Sequence, residues 1–219
     1  MKDVIIVSGG TIQRDFALDF LQKNKQKNTK LIAADRGVEF FEGTEWKPDA
    51  AVGDFDSLSA AGKDYLATLT DTEIIYLKPE KDDSDTQSAA NFAIDRGAEK
   101  IVILGATGNR IDHLMANFGL LVHGRNRGTD IILIDQWNYM KLISSHTILR
   151  KKEQFGKYVS FFSLEGNLPG LTLKGFKYPL NNYCLKASDS GLTVSNEIAE
   201  EEAIVEYEAG TLLMLMTRD

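Results

Sequence analysis

The chain has 219 residues, of which 43% are hydrophobic and 26% charged, and this suits a globular protein of one large or two small domains. Its net charge of −7 argues against a nucleic-acid-binding surface, which requires clustered lysines and arginines. No apolar run approaches the roughly 20 residues of a membrane span, so we expect a cytoplasmic protein that does not associate with membranes.

Short apolar runs recur along the first 136 residues, separated by loops and amphipathic stretches. They are rich in Val and Ile and are continuous rather than alternating, which is typical of strands buried on both faces of a parallel sheet. The runs are Val4–Val7, Leu31–Ala34, Ala50–Val52, Ile74–Leu77, Ile101–Leu104 and Ile131–Ile134.

Two of the intervening stretches have the features of helices. Ser84–Gln87 has the pattern of a capping box and predicts a helix that continues to about Arg96. A second helix is predicted by an apolar stripe of Ile111, Leu114, Met115, Phe118 and either Leu121 or Val122. The alternation of strands and helices predicts an α/β fold for residues 1–136, a Rossmann-like three-layer domain with a parallel sheet.

The pattern changes after Gln136. Short β-like segments follow one another, separated by glycines at intervals typical of antiparallel sheets, and no long helix is evident. We therefore expect a smaller all-β, sandwich-like domain over residues 137–219. The segments are Tyr158–Leu164, Leu171–Lys174, Leu192–Val194, Ile204–Tyr207 and Thr211–Thr217.

Polar residues follow the predicted strands of the first domain at the points where the strands end. Asp35 follows the second run, Asp54 and Asp56 follow the third, and Asp85 follows the fourth. The loop Gly105–Arg110 follows the fifth run. In open α/β sheets, ligands bind beyond the carboxyl ends of the strands. We expect these groups to line one crevice.

Clustered carboxylates repel each other unless a cation lies between them, and oxygen ligands in this number suit Mg²⁺ or Mn²⁺ carrying nucleotide phosphates. In an extended segment, Asp54 and Asp56 would face the same way, and Gly53 would let the backbone turn sharply out of its strand. On their own, these two acids are equally well explained as turn-capping residues. Asp35 and Asp85 at neighbouring strand ends favour the metal site.

The loop Gly105–Arg110 precedes a predicted helix, so its backbone N–H groups can bind an anion at the helix N-terminus. It lacks the P-loop pattern of nucleoside triphosphatases. Arg110 adds a guanidinium that fits phosphate oxygens. Asp112 suits the helix dipole, and it also has the chemistry to hold Arg110 or a ribose hydroxyl.

Taken together, these stretches resemble the thiamine pyrophosphokinase family. The similarity runs in order through nearly the whole chain, which makes it highly specific. The matching stretches are Ala34–Gly37, Val52–Leu58, Lys81–Asp85, Gly105–His113 with Asn117, Gly175–Leu180 and Ser195–Glu197. The family often has Gly where Arg36 stands and Thr where Ser84 stands.

The resemblance implies transfer of a pyrophosphoryl group from ATP to the hydroxyl of thiamine, giving thiamine diphosphate and AMP. It also implies a homodimer in which thiamine binds between the α/β domain of one subunit and the β domain of the other. Residues 1–136 would be the catalytic, ATP- and Mg²⁺-binding domain, and residues 137–219 the thiamine-binding domain.

The resemblance also assigns roles to individual residues. Mg²⁺ would be held by Asp54, Asp56 and Asp85, which with Arg110 would be the catalytic group. ATP would contact Lys81, Asp82, Thr107, Gly108, Arg110 and Asp112. Thiamine would contact Asp35, Tyr178, Pro179, Leu180, Ser195 and Asn196.

Other interpretations remain open from the residues alone. The N-terminal loops would serve equally well for pyrophosphate transfer to another hydroxymethyl heterocycle, such as a pterin alcohol. Without the resemblance, Tyr178–Leu180 is best explained as a plain β-turn with a packed aromatic residue. A non-catalytic sensing module would not need the aspartates, and a metal-dependent phosphohydrolase would not need the second domain.

Overall fold

The structure is a computed structural model that describes residues 1–78, 83–189 and 191–219. The chain forms two compact units, an N-terminal unit of Met1–Gln136 and a C-terminal unit of Trp137–Asp219. Within the described ranges, no helix has the length and apolar character needed to cross a membrane.

A parallel sheet forms the centre of the N-terminal unit, and its strands run in the order β4-β3-β2-β1-β5-β6. Every apolar run predicted above becomes a strand, which confirms the parallel α/β prediction. The strands are β1 (Asp3–Val7), β2 (Lys30–Ala34), β3 (Ala50–Gly53), β4 (Glu73–Tyr76), β5 (Lys100–Leu104) and β6 (Asp130–Ile134).

Strand β4 differs from the prediction that all of these strands are buried on both faces. It is the edge strand of the sheet, its Glu73 is exposed, and 71% of Tyr76 is exposed. An edge strand has a neighbour on one side only, so fewer of its side chains are covered.

The helices of the N-terminal unit follow the strands. They are α1 (Arg14–Asn24), α2 (Ala60–Thr68), α3 (Asp85–Asp95) and α4 (Ile111–Asn126), with a 3₁₀ helix at Asp35–Phe41. The capping box of α3 is half formed. Ser84 Oγ accepts a hydrogen bond from the Gln87 backbone N–H at 3.2 Å, whereas the Gln87 side chain donates to Asp83 Oδ1 at 2.6 Å.

The predicted apolar stripe of α4 is buried only in part, and the prediction is wrong for the first turns of the helix. Ile111 and Met115 are 72% and 61% exposed, and the buried positions are Asn117, Leu120, Leu121 and Gly124. Helix α4 packs on β6 and α3 through its later turns. Its first turns lie beside a cleft instead, so apolar spacing alone does not identify the buried face.

The C-terminal unit is a β-sandwich, as predicted. Its two antiparallel sheets have the strand orders β7-β13-β9 and β11-β10-β12-β8, and side chains from both form one apolar core that includes Phe161, Leu171, Val205 and Leu212. The strands are β7 (Asn138–Ile143), β8 (Thr147–Arg150), β9 (Tyr158–Ser163), β10 (Leu168–Lys174), β11 (Leu180–Leu185), β12 (Glu202–Glu206) and β13 (Leu212–Thr217).

One predicted β-like segment of this unit is a turn. Leu192–Val194 does not form a strand, because Thr193 turns inward and is buried. Its hydroxyl donates to the Phe161 carbonyl at 2.5 Å, and the Phe161 N–H donates to the Thr193 carbonyl at 3.1 Å. The prediction also missed three strands, β7, β8 and β11. Strand β11 is a sheet edge with the exposed residues Asn181 and Asn182, and it therefore lacks an apolar run.

Candidate functional site

A cleft of about 1190 Å³ opens at the carboxyl ends of β1, β2 and β5 in the N-terminal unit. The strand order reverses between β1 and β5, and this is where open α/β sheets bind ligands. The volume is somewhat above the usual range for small-ligand pockets, which suits a nucleotide with its phosphates. Predicted site residues that line it are Asp35, Asp85, Thr107, Gly108, Arg110 and Asp112.

Three of the predicted acids form a compact group. Asp35, Asp54 and Asp56 each offer a carboxylate oxygen, and these oxygens lie within 4.8 Å of one another. Ser57 Oγ donates to Asp35 Oδ2 at 2.5 Å. Asp35 Oδ1 is buried and has no hydrogen-bond partner among the residues that the structure describes.

The electrostatics of this group fit a divalent cation. Burial raises the pKa of Asp35 above its ordinary value, and the Asp85 and Asp54 charges raise it further against the hydrogen bond from Ser57. A buried, unpartnered carboxylate oxygen beside two further carboxylates is costly unless a cation compensates it. Hard oxygen ligands of this kind are those that Mg²⁺ prefers, so the residues fit the predicted metal.

The backbone brings the acids together by a turn rather than by the extended segment that the sequence suggested. Phe55, between the two aspartates, has φ 60, and its ring is buried against Tyr76 with the centroids 5.5 Å apart. Asp54 Oδ1 also accepts a hydrogen bond from the Asp56 backbone N–H at 3.2 Å. Asp54 and Asp56 therefore cap their own turn and also belong to the acid group. The turn-capping and metal-site interpretations of these two residues are thus compatible.

Gly53 has a different role from the predicted sharp turn. It is the last residue of β3, and a Cβ at this position would lie 2.9 Å from the Asp35 Cα. A side chain there would push apart the ends of β2 and β3. Glycine therefore permits the close approach that places Asp35 beside Asp54.

Asp85 stands at the start of α3 and lines the cleft with Asp35. It lies outside the three-carboxylate group, although its charge reaches Asp35. The adjacent Asp83 is held by amide donors, Gln87 Nε2 at 2.6 Å and Asn91 Nδ2 at 3.1 Å. The predicted ATP contacts Lys81 and Asp82 lie outside the described residues.

The glycine-rich loop after β5 is fixed by contacts from three directions. Thr107 Oγ1 donates to Asp135 Oδ2 at 2.8 Å, and the buried Asn117 donates to the Ala106 carbonyl at 2.8 Å. The Thr11 backbone N–H donates to the Thr107 carbonyl at 2.8 Å. This loop leads into the N-terminus of α4 beside the cleft, which favours a negatively charged ligand.

Sequence reasoning missed the segment Ser8–Ile12, which also lines the cleft. The Ser8 hydroxyl lies 2.5 Å from the Thr86 hydroxyl in the first turn of α3. The signal was available, because Ser8-Gly9-Gly10-Thr11 follows β1 as the other polar loops follow their strands.

Arg110 and Asp112 form an exposed ion pair at the start of α4. Arg110 Nε donates to Asp112 Oδ1 at 3.1 Å, and Nη2 donates to Oδ2. Holding Arg110 is one of the roles that the sequence suggested for Asp112. The hydrogen bond from Arg110 lowers the pKa of Asp112 to about 2, and that from the His113 N–H also favours the charged form.

The Asp112 carboxyl should therefore titrate near pH 2, well below its ordinary value of 3.8. Since the folded pKa is depressed, the pair is intact above pH 3.8 and is lost as the pH falls towards 2. Carboxyl chemical shifts measured by NMR would show this, and Arg110→Gln should return the midpoint towards 3.8. An unchanged midpoint in that variant would contradict the assigned cause.

In the C-terminal unit, the residues predicted to contact thiamine differ in how exposed they are. Tyr178 is 55% exposed, and Pro179 beside it is exposed.

Asn196 is 2% exposed, and its side chain is hydrogen-bonded to the backbone of Tyr178. Its Oδ1 accepts from the Tyr178 N–H at 2.9 Å, and its Nδ2 donates to the Tyr178 carbonyl at 2.7 Å. Ser195 has φ 57 and donates its N–H to Ser160 Oγ at 3.0 Å. Leu180 is half-buried at the start of β11.

Comparison with known proteins gives matches along most of the chain. Residues 21–133 match the family described as thiamin pyrophosphokinase, catalytic domain, and residues 145–212 match its vitamin B1 binding domain. The chain is 31% identical to the thiamine pyrophosphokinase of Bacillus subtilis over 219 residues, which is all of both chains. The chain belongs to the thiamin pyrophosphokinase family. The family predicted from the sequence is thus confirmed.

Solved structures of thiamin pyrophosphokinases have the same fold. The Bacillus subtilis enzyme superposes with a TM-score of 0.88 at 30% identity, with all of both chains covered. That of Geobacillus thermodenitrificans gives 0.84 at 28% identity, covering 99% of this chain and 97% of the other. The match to the catalytic domain includes the acid group and the loop after β5, and the match to the vitamin B1 binding domain includes Tyr178 and Asn196.

Proposed function

We propose that the chain transfers the pyrophosphoryl group of ATP to the hydroxyl of thiamine, giving thiamine diphosphate and AMP, with ATP and Mg²⁺ bound in the N-terminal cleft. The observation that carries the placement is the unpartnered Oδ1 of Asp35, which belongs to the three-carboxylate group and lines the same cleft as the N-terminus of α4. An acid group next to an anion-binding loop is the pairing that a metal-bound polyphosphate requires.

The metal would be held by Asp54 and Asp56, and the short oxygen separations within the group support adding Asp35 to them. Asp35, to which the family resemblance assigned a thiamine contact, would therefore serve as a metal ligand instead. Asp85 would complete the acidic wall of the cleft. Bound Mg²⁺ would supply positive charge that neutralises the phosphate oxygens.

The phosphate side of the cleft would use Thr107, Gly108 and the α4 N-terminus to orient the nucleotide. In the reaction, the thiamine oxygen bonds to the β-phosphorus, and the bond from that phosphorus to the α–β bridging oxygen breaks. Negative charge then grows on the oxygen that leaves with AMP, and Arg110 is suited to stabilise it. Asp112 would position the Arg110 guanidinium, and Lys81 and Asp82 remain proposed ATP contacts from the family resemblance.

The proton of the thiamine hydroxyl would pass to a carboxylate of the acid group, either Asp54 or Asp56. Thiamine itself is cationic and partly aromatic, which suits the exposed ring of Tyr178 with Pro179 and Leu180 beside it. Asn196 and Ser195 would act by holding the backbone around Tyr178, since the Asn196 side chain is already fully engaged there.

We also propose that the protein is a cytoplasmic homodimer with thiamine sites shared between subunits, as the family resemblance implies. The exposed Ile111 and Met115 on α4 are consistent with a covered surface in an assembly. Sedimentation velocity at assay concentration would measure the subunit number, and a monomer that retains full activity would refute the shared site.

The proposed reaction is tested by incubating the protein with ATP, Mg²⁺ and thiamine and separating the nucleotides by chromatography. We expect AMP to accumulate in proportion to thiamine diphosphate and only when thiamine is present. A hydroxymethyl pterin serves as the control acceptor. ADP as the product, or AMP formation that does not depend on thiamine, would refute the proposal.

A further inference from the structure

Three arginines line the cleft, and they differ in their hydrogen-bond partners. Arg14 donates from Nη1 to the Phe40 carbonyl at 3.0 Å and from Nη2 to the Glu42 carbonyl at 2.7 Å. Arg110 uses Nε and Nη2 on Asp112. Arg14 therefore has a structural role, and Arg110 is held by a carboxylate through two of its nitrogens.

Arg36 is the exception among these three. Its Nε donates to Glu39 Oε2 at 3.1 Å, and neither Nη nitrogen has a hydrogen-bond partner within the described part of the chain. The side chain is 59% exposed and lines the cleft. The outer edge of this guanidinium thus keeps its donors available to a ligand.

The position of Arg36 is fixed by its neighbours. Glu39, which holds Nε, is itself anchored because its Oε1 accepts from the Ser59 backbone N–H at 2.7 Å. On the other side, a Cβ at Gly9 would lie 3.0 Å from the Arg36 Cβ, so glycine leaves room for the arginine stem. A guanidinium held in this way loses little conformational entropy when it binds.

Arg36 also lies where phosphate groups would be expected. It directly follows Asp35, which belongs to the three-carboxylate group and has one unpartnered carboxylate oxygen among the described residues. A metal held by that group would bring phosphate oxygens next to it. The planar fork of an arginine matches two phosphate oxygens, and its charge does not depend on pH in the working range.

We propose that Arg36 is a specificity-determining residue that binds the pyrophosphoryl group of ATP, its β- and γ-phosphates, through the two Nη nitrogens while Nε remains on Glu39. This proposal rests on the proposed binding of ATP in the cleft. Because AMP lacks both phosphates, Arg36 should distinguish the triphosphate substrate from the monophosphate product. Its loss should weaken ATP binding and leave AMP binding unchanged.

The test compares Arg36→Gln with wild type by calorimetry, using α,β-methylene ATP with Mg²⁺ as a ligand that cannot transfer its pyrophosphoryl group. We expect affinity for this analogue to fall about 10- to 100-fold, the loss typical of a charge-assisted hydrogen-bonded pair, with AMP affinity unchanged. Arg36→Lys should lie between the two, since lysine keeps the charge but loses the fork. In turnover, the KM for ATP should rise while the KM for thiamine stays constant.

Arg127→Gln is the matched control. Arg127 is also a partly exposed arginine with an ion pair to one acid, Asp95 at 2.7 Å, but it follows the end of α4 and does not line the cleft. Denaturant unfolding would confirm that each variant is folded. If Arg36→Gln bound the analogue as tightly as Arg127→Gln, or lost AMP affinity equally, the role of Arg36 would be refuted. Failure of the wild type to bind the analogue would refute both this role and the proposed function.

Discussion

Asp56→Asn is expected to lower kcat about a thousandfold, equivalent to roughly 4 kcal/mol of transition-state stabilisation, without unfolding the protein. The substitution keeps the shape of the side chain but removes one charge from a group whose oxygens lie within 4.8 Å of one another. A neutral amide is a weak Mg²⁺ ligand and a poor proton acceptor, so both proposed roles of the group suffer. Turnover measured across a Mg²⁺ titration would show the loss.

The stability of this variant should move in the opposite direction. Without metal, the three carboxylates repel each other, so neutralising one should leave the free energy of unfolding unchanged or raise it. Mg²⁺ should stabilise the wild type by mass action and stabilise the variant much less. Denaturant unfolding with and without Mg²⁺ measures both effects.

Asp95→Asn is the control for this experiment. Asp95 is exposed, pairs with Arg127 and lies outside the acid group. It should behave as wild type in turnover and in its response to Mg²⁺. Near-full activity of Asp56→Asn at saturating Mg²⁺ would show that the metal assignment is wrong, as would equal stabilisation of both variants by the metal.

Asn196→Ala should destabilise the C-terminal unit by about 3 kcal/mol, because it leaves buried hydrogen-bonding groups unpaired. The side chain is 2% exposed and serves the Tyr178 N–H, the Tyr178 carbonyl and the Glu197 N–H. Loss of these hydrogen bonds, the Asn196 clamp, should also make the backbone at Tyr178 more mobile. We therefore expect a higher KM for thiamine together with a lower midpoint of denaturant unfolding.

Tyr178→Ala separates binding from stability in the same segment. The ring is 55% exposed, so its removal should change the free energy of unfolding little. If it contacts thiamine, the KM for thiamine should rise about tenfold, a cation–π contribution of typical size, while the KM for ATP stays constant. Equal rises in both KM values would contradict the placement of Tyr178 in the acceptor site, and an Asn196→Ala protein of unchanged stability would contradict the clamp.

The strands of the N-terminal unit could be predicted because parallel strands buried on both faces leave continuous Val- and Ile-rich runs. The orientation of α4 could not be predicted in the same way. Ile111 and Met115 have the spacing of a buried stripe but lie on turns that do not pack on the sheet. Periodicity reports which residues are apolar, whereas burial depends on which part of the helix has a neighbour.

The site was predictable to the extent that its groups follow strand ends. Asp35, Asp54 and Asp56 meet because β2 and β3 pair in register, which the strand pattern implies. The left-handed turn at Phe55 and the clamp by Asn196 were not predictable, because each depends on a partner elsewhere in the chain. The Asn196 side chain and the Tyr178 backbone are 18 residues apart in sequence.

The contact between the Ser8 and Thr86 hydroxyls joins residues 78 positions apart, and the Ser8 N–H also bonds to the Leu104 carbonyl at 2.8 Å. Closing a loop of this length costs conformational entropy, which the contacts made on pairing of β1 with β5 must offset. A nascent or partly folded chain in which β5 has not yet paired with β1 therefore lacks one wall of the cleft. The proposed binding of a nucleotide would then report that β1 and β5 have paired, and a ligand of this cleft would stabilise the chain in which the N-terminal sheet is complete.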